Sequence, residues 1–268
     1  MGEPDSANRW RGMLTGDEEA NPRLRLLRRA FRHLPSDPRC KLCYAPYGRP
    51  FGGVLQLMGY GPWQRNASLC GACFRQLEKN EGGAEVELTL LFADLRGSTQ
   101  LAERLDALVY RHMVNAFYAV VARAVNEPGG TVDKYLGDGV FAFFLPGFSG
   151  EAHAALAIGV ARAILRQTVS LPALPDDIQP LPVGIGVHTG IAYVGFLGSG
   201  DVRDFTALGD AVNLTERLSS VAGARELLMS ESTVEAAGLA TAGLERRELA
   251  LKGIGRSVVA WAEGAKRA

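Results

Sequence analysis

The C-terminal two-thirds of the sequence predicts an α+β fold, an antiparallel sheet with helices on one face. Two observations carry that prediction. The candidate elements run in the order β-α-β-β-α-β, and the segments between short strand-like runs carry apolar stripes at helical period.

Taken in order, residues 1–20 are polar and without period, and are expected to be disordered. Residues 21–36 predict a basic amphipathic helix, with Leu24, Leu27, Phe31 and Leu34 on one face. Arg23, Arg25, Arg28, Arg29 and Arg32 fill most of the rest, and Pro35 and Pro38 end it. Such a helix is expected to pack on the body or on a dimer mate; membrane-surface or nucleic-acid binding are the other readings. Residues 37–80 hold every cysteine, and residues 81–84 make a linker to a domain over 85–268.

In that domain Glu85–Asp94 (EVELTLLFAD) reads as a central strand. A long helix should follow, with Leu101, Leu105, Leu108, Val109, Met113, Phe117, Val120 and Val121 on its inner stripe, closed by Pro-Gly-Gly at 128–130. Strands near 131–135 and 140–145 flank the turn Leu136-Gly137-Asp138-Gly139, a hairpin. An Ala-rich helix near 150–169, strands at 183–188 and 192–196, a helix near 210–221 and strands near 245–252 and 256–262 complete the domain.

Composition narrows the class. Hydrophobic residues make up 47% and charged residues 22%, ordinary for a globular protein. No apolar run approaches the ~20 residues that cross a bilayer, so no membrane span is expected. The polar, acidic start is no secretory signal, which makes the cytoplasm the default location. Net charge is zero but uneven: residues 1–80 carry 13 Lys/Arg against 7 Asp/Glu, the remainder 16 against 22.

Cys40-Lys41-Leu42-Cys43 and Cys70-Gly71-Ala72-Cys73 are separated by 26 residues, and the 195 residues after Cys73 contain no cysteine. In a reducing compartment two C-x-x-C pairs point to a metal rather than to disulfides. Four thiolates suit one Zn²⁺ per chain in a tetrahedral site, a structural staple for a piece too small for its own core. An iron–sulfur cluster needs the same four thiolates and is the alternative. With no dense Lys/Arg stripe beyond the basic helix, nucleic acid is not an expected partner.

Two carboxylates then stand out. Asp94 ends the first strand of FADLRGSTQ and Asp138 sits in the hairpin turn of KYLGDGV. Neighbouring strands lie ~4.8 Å apart, so the pair can share two hard cations such as Mg²⁺ or Mn²⁺, the arrangement phosphoryl chemistry uses. Taken singly, Asp94 reads as a helix cap and Asp138 as a turn residue. Gly97, Ser98 and Thr99 open the following helix, whose free N–H groups would receive a phosphate.

FADLRGSTQLAERL, DKYLGDGVFAFF, VGIGVHTG, DFTALGDAVNLTERL and LALKGIG, in that order, resemble the motifs of the class III adenylate/guanylate cyclase catalytic domain. The resemblance covers about Glu85 to Glu263. It implies a ferredoxin-like α+β core, working as a homodimer with active sites in the cleft between subunits, and conversion of ATP to 3′,5′-cyclic AMP and pyrophosphate with two metal ions per site. By the same resemblance Asp94 and Asp138 are metal ligands and Lys134 reads the purine edge. Asn213 and Arg217, four residues apart on one helix, orient the ribose and stabilise the transition state. Lys252 grips the terminal phosphates.

The family's adenine-selecting position, commonly Asp, is Thr206 here. A Thr hydroxyl accepts a hydrogen bond from the adenine amino group, while Lys134 donates to adenine N1 and would meet a hydrogen on guanine N1. ATP is therefore the expected substrate, with a guanylate or mixed-specificity cyclase as the alternative. Thr variants resemble a subgroup often stimulated by bicarbonate, and a flat dose response would remove that expectation. The non-enzymatic rival is a metal- or redox-sensing adaptor that only binds nucleotide; the N-terminal cysteine module is expected to regulate the cyclase.

Overall fold

The computed structural model of the chain describes residues 3–17, 21–35, 38–63, 66–79, 82–171, 174, 178–199 and 202–264. The chain divides into two compact units, the first made of Met1–Val86, Leu145–Glu151 and Tyr193–Ala207, the second of Glu87–Phe144, Ala152–Ala192 and Leu208–Ala268. Two long strands, β3 (Gly83–Leu95) and β6 (Val183–Ser199), contribute to both.

The first unit includes α1 (Glu3–Thr15), which corrects the expectation of disorder for those residues, while residues 1–2 and 18–20 of that expectation lie outside the described residues. Trp10, Met13 and Leu14, an i, i+3, i+4 set, are at most 4% exposed. The polar composition hid this short stripe; tertiary partners decide it. The Trp10 ring stacks on Phe205 at 6.3 Å and meets Phe196 edge-on at 6.1 Å, and Phe74 meets Phe196 at 5.2 Å. The expected boundary at residue 84 therefore does not mark the compact units, because a segment this small fills its core with aromatic residues from residues 193–207.

Helix α2 (Pro22–Arg32) forms but stops short of Leu34: the Asn21 side chain accepts the Leu24 N–H at 3.1 Å and Pro22 opens the first turn. Arg28 does not join the solvated face. It is 4% exposed, with Nε donating to Leu42 O (2.8 Å), Nη2 to Gly147 O (3.1 Å) and its guanidinium over the Tyr44 ring. Then come α3 (Gly52–Leu55), a π-helical turn (Gln56–Tyr60), the hairpin β1 (Pro62–Trp63) and β2 (Asn66–Cys70), and α4 (Gly71–Lys79). In the expected linker, residue 81 lies outside the described residues and β3 already begins at Gly83.

In the second unit the expected long helix is two, α5 (Ser98–Arg104) and α6 (Ala107–Asn126). The break is local: Leu105 turns extended, and Asp106 caps α6 by accepting the Leu108 N–H at 2.8 Å. The stripe slips in consequence, leaving Leu108 63% exposed while Met113, Phe117 and Val121 are fully buried. The hairpin β4 (Thr131–Leu136) and β5 (Gly139–Phe144) is as predicted. After α7 (Pro146–Ser149), which belongs to the first unit, come α8 (His153–Gln167) and β6. Strand β7 (Val202–Leu208), α9 (Asp210–Val221), β8 (Glu226–Ser230), α10 (Glu231–Ala236), β9 (Glu245–Ala250) and β10 (Ser257–Gly264) follow.

The strand order is β4-β5-β3-β6-β8-β10-β9, with β7 paired to β6. The α+β class holds, but the sheet is mixed, because β6 and β8 run parallel. Helices also cover both faces. Leu227 and Met229 of β8 face the core built with α6 and α8, whereas Leu228 between them joins Leu214 and Leu218 of α9. Helix α9 lies so close on β6 that a Cβ at Gly186 would stand 2.3 Å from the Ser219 nitrogen, a contact only glycine permits.

Candidate functional site

Asp94 stands one residue before the end of β3, in register with Gly139, the first residue of β5. The Leu95 N–H donates to the Asp138 carbonyl at 3.1 Å. Two residues 44 positions apart in the chain are thereby fixed at one corner of the sheet. The tight turn before Asp138 uses Gly137 at φ 68°. Asp94 keeps 29% of its side chain exposed and Asp138 is half-buried. Two hard oxygen donors partly open to solvent, one at a strand end and one in the neighbouring hairpin turn, fit Mg²⁺ or Mn²⁺, which keep waters and substrate phosphates as further ligands.

Each carboxylate already has a polar partner. Ser98 donates its hydroxyl to Asp138 Oδ2, and the Arg96 guanidinium pairs with Asp94 Oδ2. Sequence reasoning missed Arg96, although it lies inside FADLRGST, two residues beyond a strand-end carboxylate. Its Nη1 also donates to Ser220 O at 2.8 Å, tying the β3 terminus to the last turn of α9. Burial lowers the Arg96 pKa, and the Asp138 charge opposes that shift. Tyr118 donates to Gly137 O and packs on Tyr135 with centroids 4.3 Å apart, walling the turn. Burial first, and then the Asp138 charge, push the Tyr110 and Tyr118 hydroxyls up.

The other candidates are distributed as follows. Gly97, at φ 68°, is the N-cap of α5, and Ser98 and Thr99 open that helix. Seven residues make fewer than two turns, so α5 lends only a small dipole to the expected phosphate site. Lys134 on β4 is 36% exposed, with Asp133 Oδ1 3.6 Å from its amine. On α9, Asn213 is exposed and Arg217 is 39% exposed, 4.0 Å from Glu216; both turn away from the face buried by Leu214 and Leu218. Lys252 is exposed in the turn between β9 and β10. Thr206 lies on β7 in the first unit and is 3% exposed.

The first unit holds the cysteine cluster. Tyr44 N–H donates to Cys40 O and Cys40 N–H to Ala45 O, both at 2.9 Å, with Tyr44 in the left-handed region at φ 63°. This tight loop brings Cys40 and Cys43 together; Cys70 ends β2 and Cys73 lies in the first turn of α4. The four sulfurs lie within 4.8 Å of one another, all buried, with Cys43 and Cys70 Sγ 3.7 Å apart. Backbone N–H groups of Cys70 and Cys73 donate to Cys40 Sγ (3.3 Å) and Cys70 Sγ (3.4 Å). Burial pushes the Cys40 thiol up, but hydrogen bonding with the other three outweighs it and holds Cys40 well below the usual thiol range. Hydrogen bonding with Cys40 pushes Cys73 up. Such a group can hold a metal ion.

The sequence profile of the adenylate and guanylate cyclase catalytic domain matches residues 83–262, and the chain belongs to that family. It is 32% identical over 150 residues to an adenylate cyclase of Anabaena cylindrica, covering 55% of this chain and 30% of that protein. A Dictyostelium discoideum adenylate cyclase, terminal-differentiation specific, is 28% identical over 153 residues, 56% of this chain and 7% of the relative. The chain thus spans less than a third of these curated relatives. Among solved structures, the guanylyl cyclase Cya2 superposes with TM-score 0.60 at 32% identity, over 68% of this chain and 93% of that one. The adenylyl cyclase CyaB from P. aeruginosa gives 0.58 at 29%, over 69% and 97%.

Proposed function

We propose that the chain is an adenylate cyclase that closes ATP to 3′,5′-cyclic AMP and pyrophosphate as a homodimer. The observation that carries this reading is the Asp94–Asp138 corner, in a chain of the cyclase family. Asp94 and Asp138 would hold two Mg²⁺ or Mn²⁺, which when bound would supply Lewis-acid polarisation of phosphate oxygens and a lowered pKa for the attacking 3′-hydroxyl. That oxygen gives up its proton to solvent and bonds to the α-phosphorus in line as the bond to pyrophosphate breaks. Arg96 orients Asp94 through its second anchor on Ser220 O. Arg217 meets the charge that develops on the transferring phosphoryl group, the effect that usually dominates such catalysis. Asn213 orients the ribose, Lys134 and Thr206 read the base, and Lys252 holds the terminal phosphates. The outward position of Asn213 and Arg217 on α9 supports a site completed by a second copy.

Purified protein with ATP and Mn²⁺ should release cyclic AMP and pyrophosphate in equal amounts, and Asp94→Asn should abolish this with an unchanged far-UV spectrum. An unaltered rate in that variant would refute the metal-ligand role. A guanylate or mixed-specificity cyclase is the second reading, favoured by the likeness to Cya2 and by Thr206 in place of Asp; ATP and GTP turnover side by side separates the two.

The four cysteines hold one Zn²⁺ per chain in this proposal, and the module regulates the cyclase. A zinc ion with ~2.3 Å bonds to four sulfurs sets them ~3.8 Å apart, close to the Cys43–Cys70 separation of 3.7 Å. An iron–sulfur cluster interposes iron and sulfide between its thiolates, so sulfurs all within 4.8 Å favour a single ion. About one zinc and no acid-labile sulfide per chain is expected; iron with sulfide would overturn the assignment.

A further inference from the structure

We propose that α2 and the apolar tip formed by α3 and the π-helical turn dock together on an anionic lipid bilayer. This inference is independent of the catalytic reading. Residues 50–64 carry no charge. Within them Phe51 is 39% exposed, Val54 63%, Leu57 90% and Met58 65%, while Gly52 and Leu55 face inward. A short element that turns four large apolar side chains to water, with the uncharged Gln56 the exposed polar side chain among them, leaves an uncovered patch.

The neighbouring helix supplies the charge. Helix α2 contains no acidic residue; Arg23, Arg25, Arg29 and Arg32 are exposed, and Leu26 among them is 69% exposed. Phe31 of α2 meets Tyr60 at the end of the tip, edge-on at 5.3 Å, so cations and apolar groups lie on elements in contact. Two further exposed arginines bracket the tip: Arg49 precedes it, and Arg75 lies so close that a Cβ at Gly59 would stand 2.6 Å from its Nη2.

Charge complementarity selects the occupant. An interfacial segment sinks apolar side chains to the acyl boundary while cations meet lipid phosphates, and stable attachment needs both signals. A second copy fits worse, because a two-fold contact sets the same patch against itself and would oppose arginine to arginine.

The test is flotation of the full chain with phosphatidylcholine vesicles with and without phosphatidylglycerol. Binding only to the anionic vesicles, weakening with salt, is expected. Leu57→Ser with Met58→Ser should lower partitioning by about tenfold or more, and the combination Arg23→Gln, Arg25→Gln, Arg29→Gln and Arg32→Gln by roughly a thousandfold. Both variants should keep wild-type metal content, far-UV spectrum and turnover. Three results would overturn the proposal. One is no flotation on anionic vesicles. Another is full flotation of the Leu57/Met58 variant, which means simple polyanion adsorption. The third is a fall in sedimentation coefficient in that variant, which means a second copy covers the patch.

Discussion

Below pH 6.5 one half-buried ring should erode the stability of the second unit. His188 lies on β6, half-buried, with Nδ1 2.8 Å from Ser230 Oγ. Burial, reinforced by the Arg256 charge, lowers its pKa from 6.5 to about 4. The folded chain therefore keeps the ring neutral where the unfolded chain protonates it. Stability is intact above pH 6.5 and is lost as pH falls toward 4, at about 1.4 kcal/mol per pH unit, or about 3 kcal/mol over the whole window. His188→Asn retains a hydrogen-bonding group near Nδ1 but cannot titrate. Urea unfolding at pH 7.5 and pH 5.0 should show wild type losing about 2 kcal/mol more than the variant between those points. Carboxylate and thiolate contributions are common to both proteins and cancel in the difference. Equal losses, or a His188 ring that titrates near 6.5 by NMR, would refute the linkage.

Arg247→Ala should cost about 3 kcal/mol in urea unfolding, because Glu226, whose side chain is 2% exposed, loses its 2.8 Å partner. Adding Glu226→Gln to that variant should recover part of the loss, and no recovery would deny the buried charge its role. Arg217→Ala should lower kcat by about 10²–10³ with little change in substrate affinity, read from steady-state kinetics. Withdrawing metal from the cysteines with a strong chelator should expose Trp63, which stacks on Phe74 at 4.7 Å one residue from Cys73, as increased fluorescence quenching by iodide. Unchanged quenching would mean that the metal does not hold this unit together.

The sequence by itself determined the local chemistry. Asn21 and Pro22 set the start of α2, the 128–130 Pro-Gly-Gly closed α6, Gly137 and Gly139 dictated the hairpin, and the two C-x-x-C pairs announced the cysteine cluster. In each, the residue that decides the backbone is adjacent in the chain to the backbone it decides. Family membership, too, was legible in five motifs, because each is a run of adjacent residues at a strand end, a turn or a helix start.

Tertiary structure decided what depends on distant partners. Strand β8 passed unnoticed, since ELLMS is too short and uniform to show a period, and its parallel pairing with β6 follows from the sheet. Helix α1 exists because Trp10 finds Phe196 and Phe205, more than 180 residues away. Asp106 did carry a capping signal, but the apolar stripe running across it read as one helix. Arg96 looked like a spacer between Asp94 and Gly97, yet it reaches a carbonyl 124 residues further along and so couples the carboxylate to α9. A side chain's neighbours in space are set by burial and sheet register, and one-dimensional spacing does not encode them.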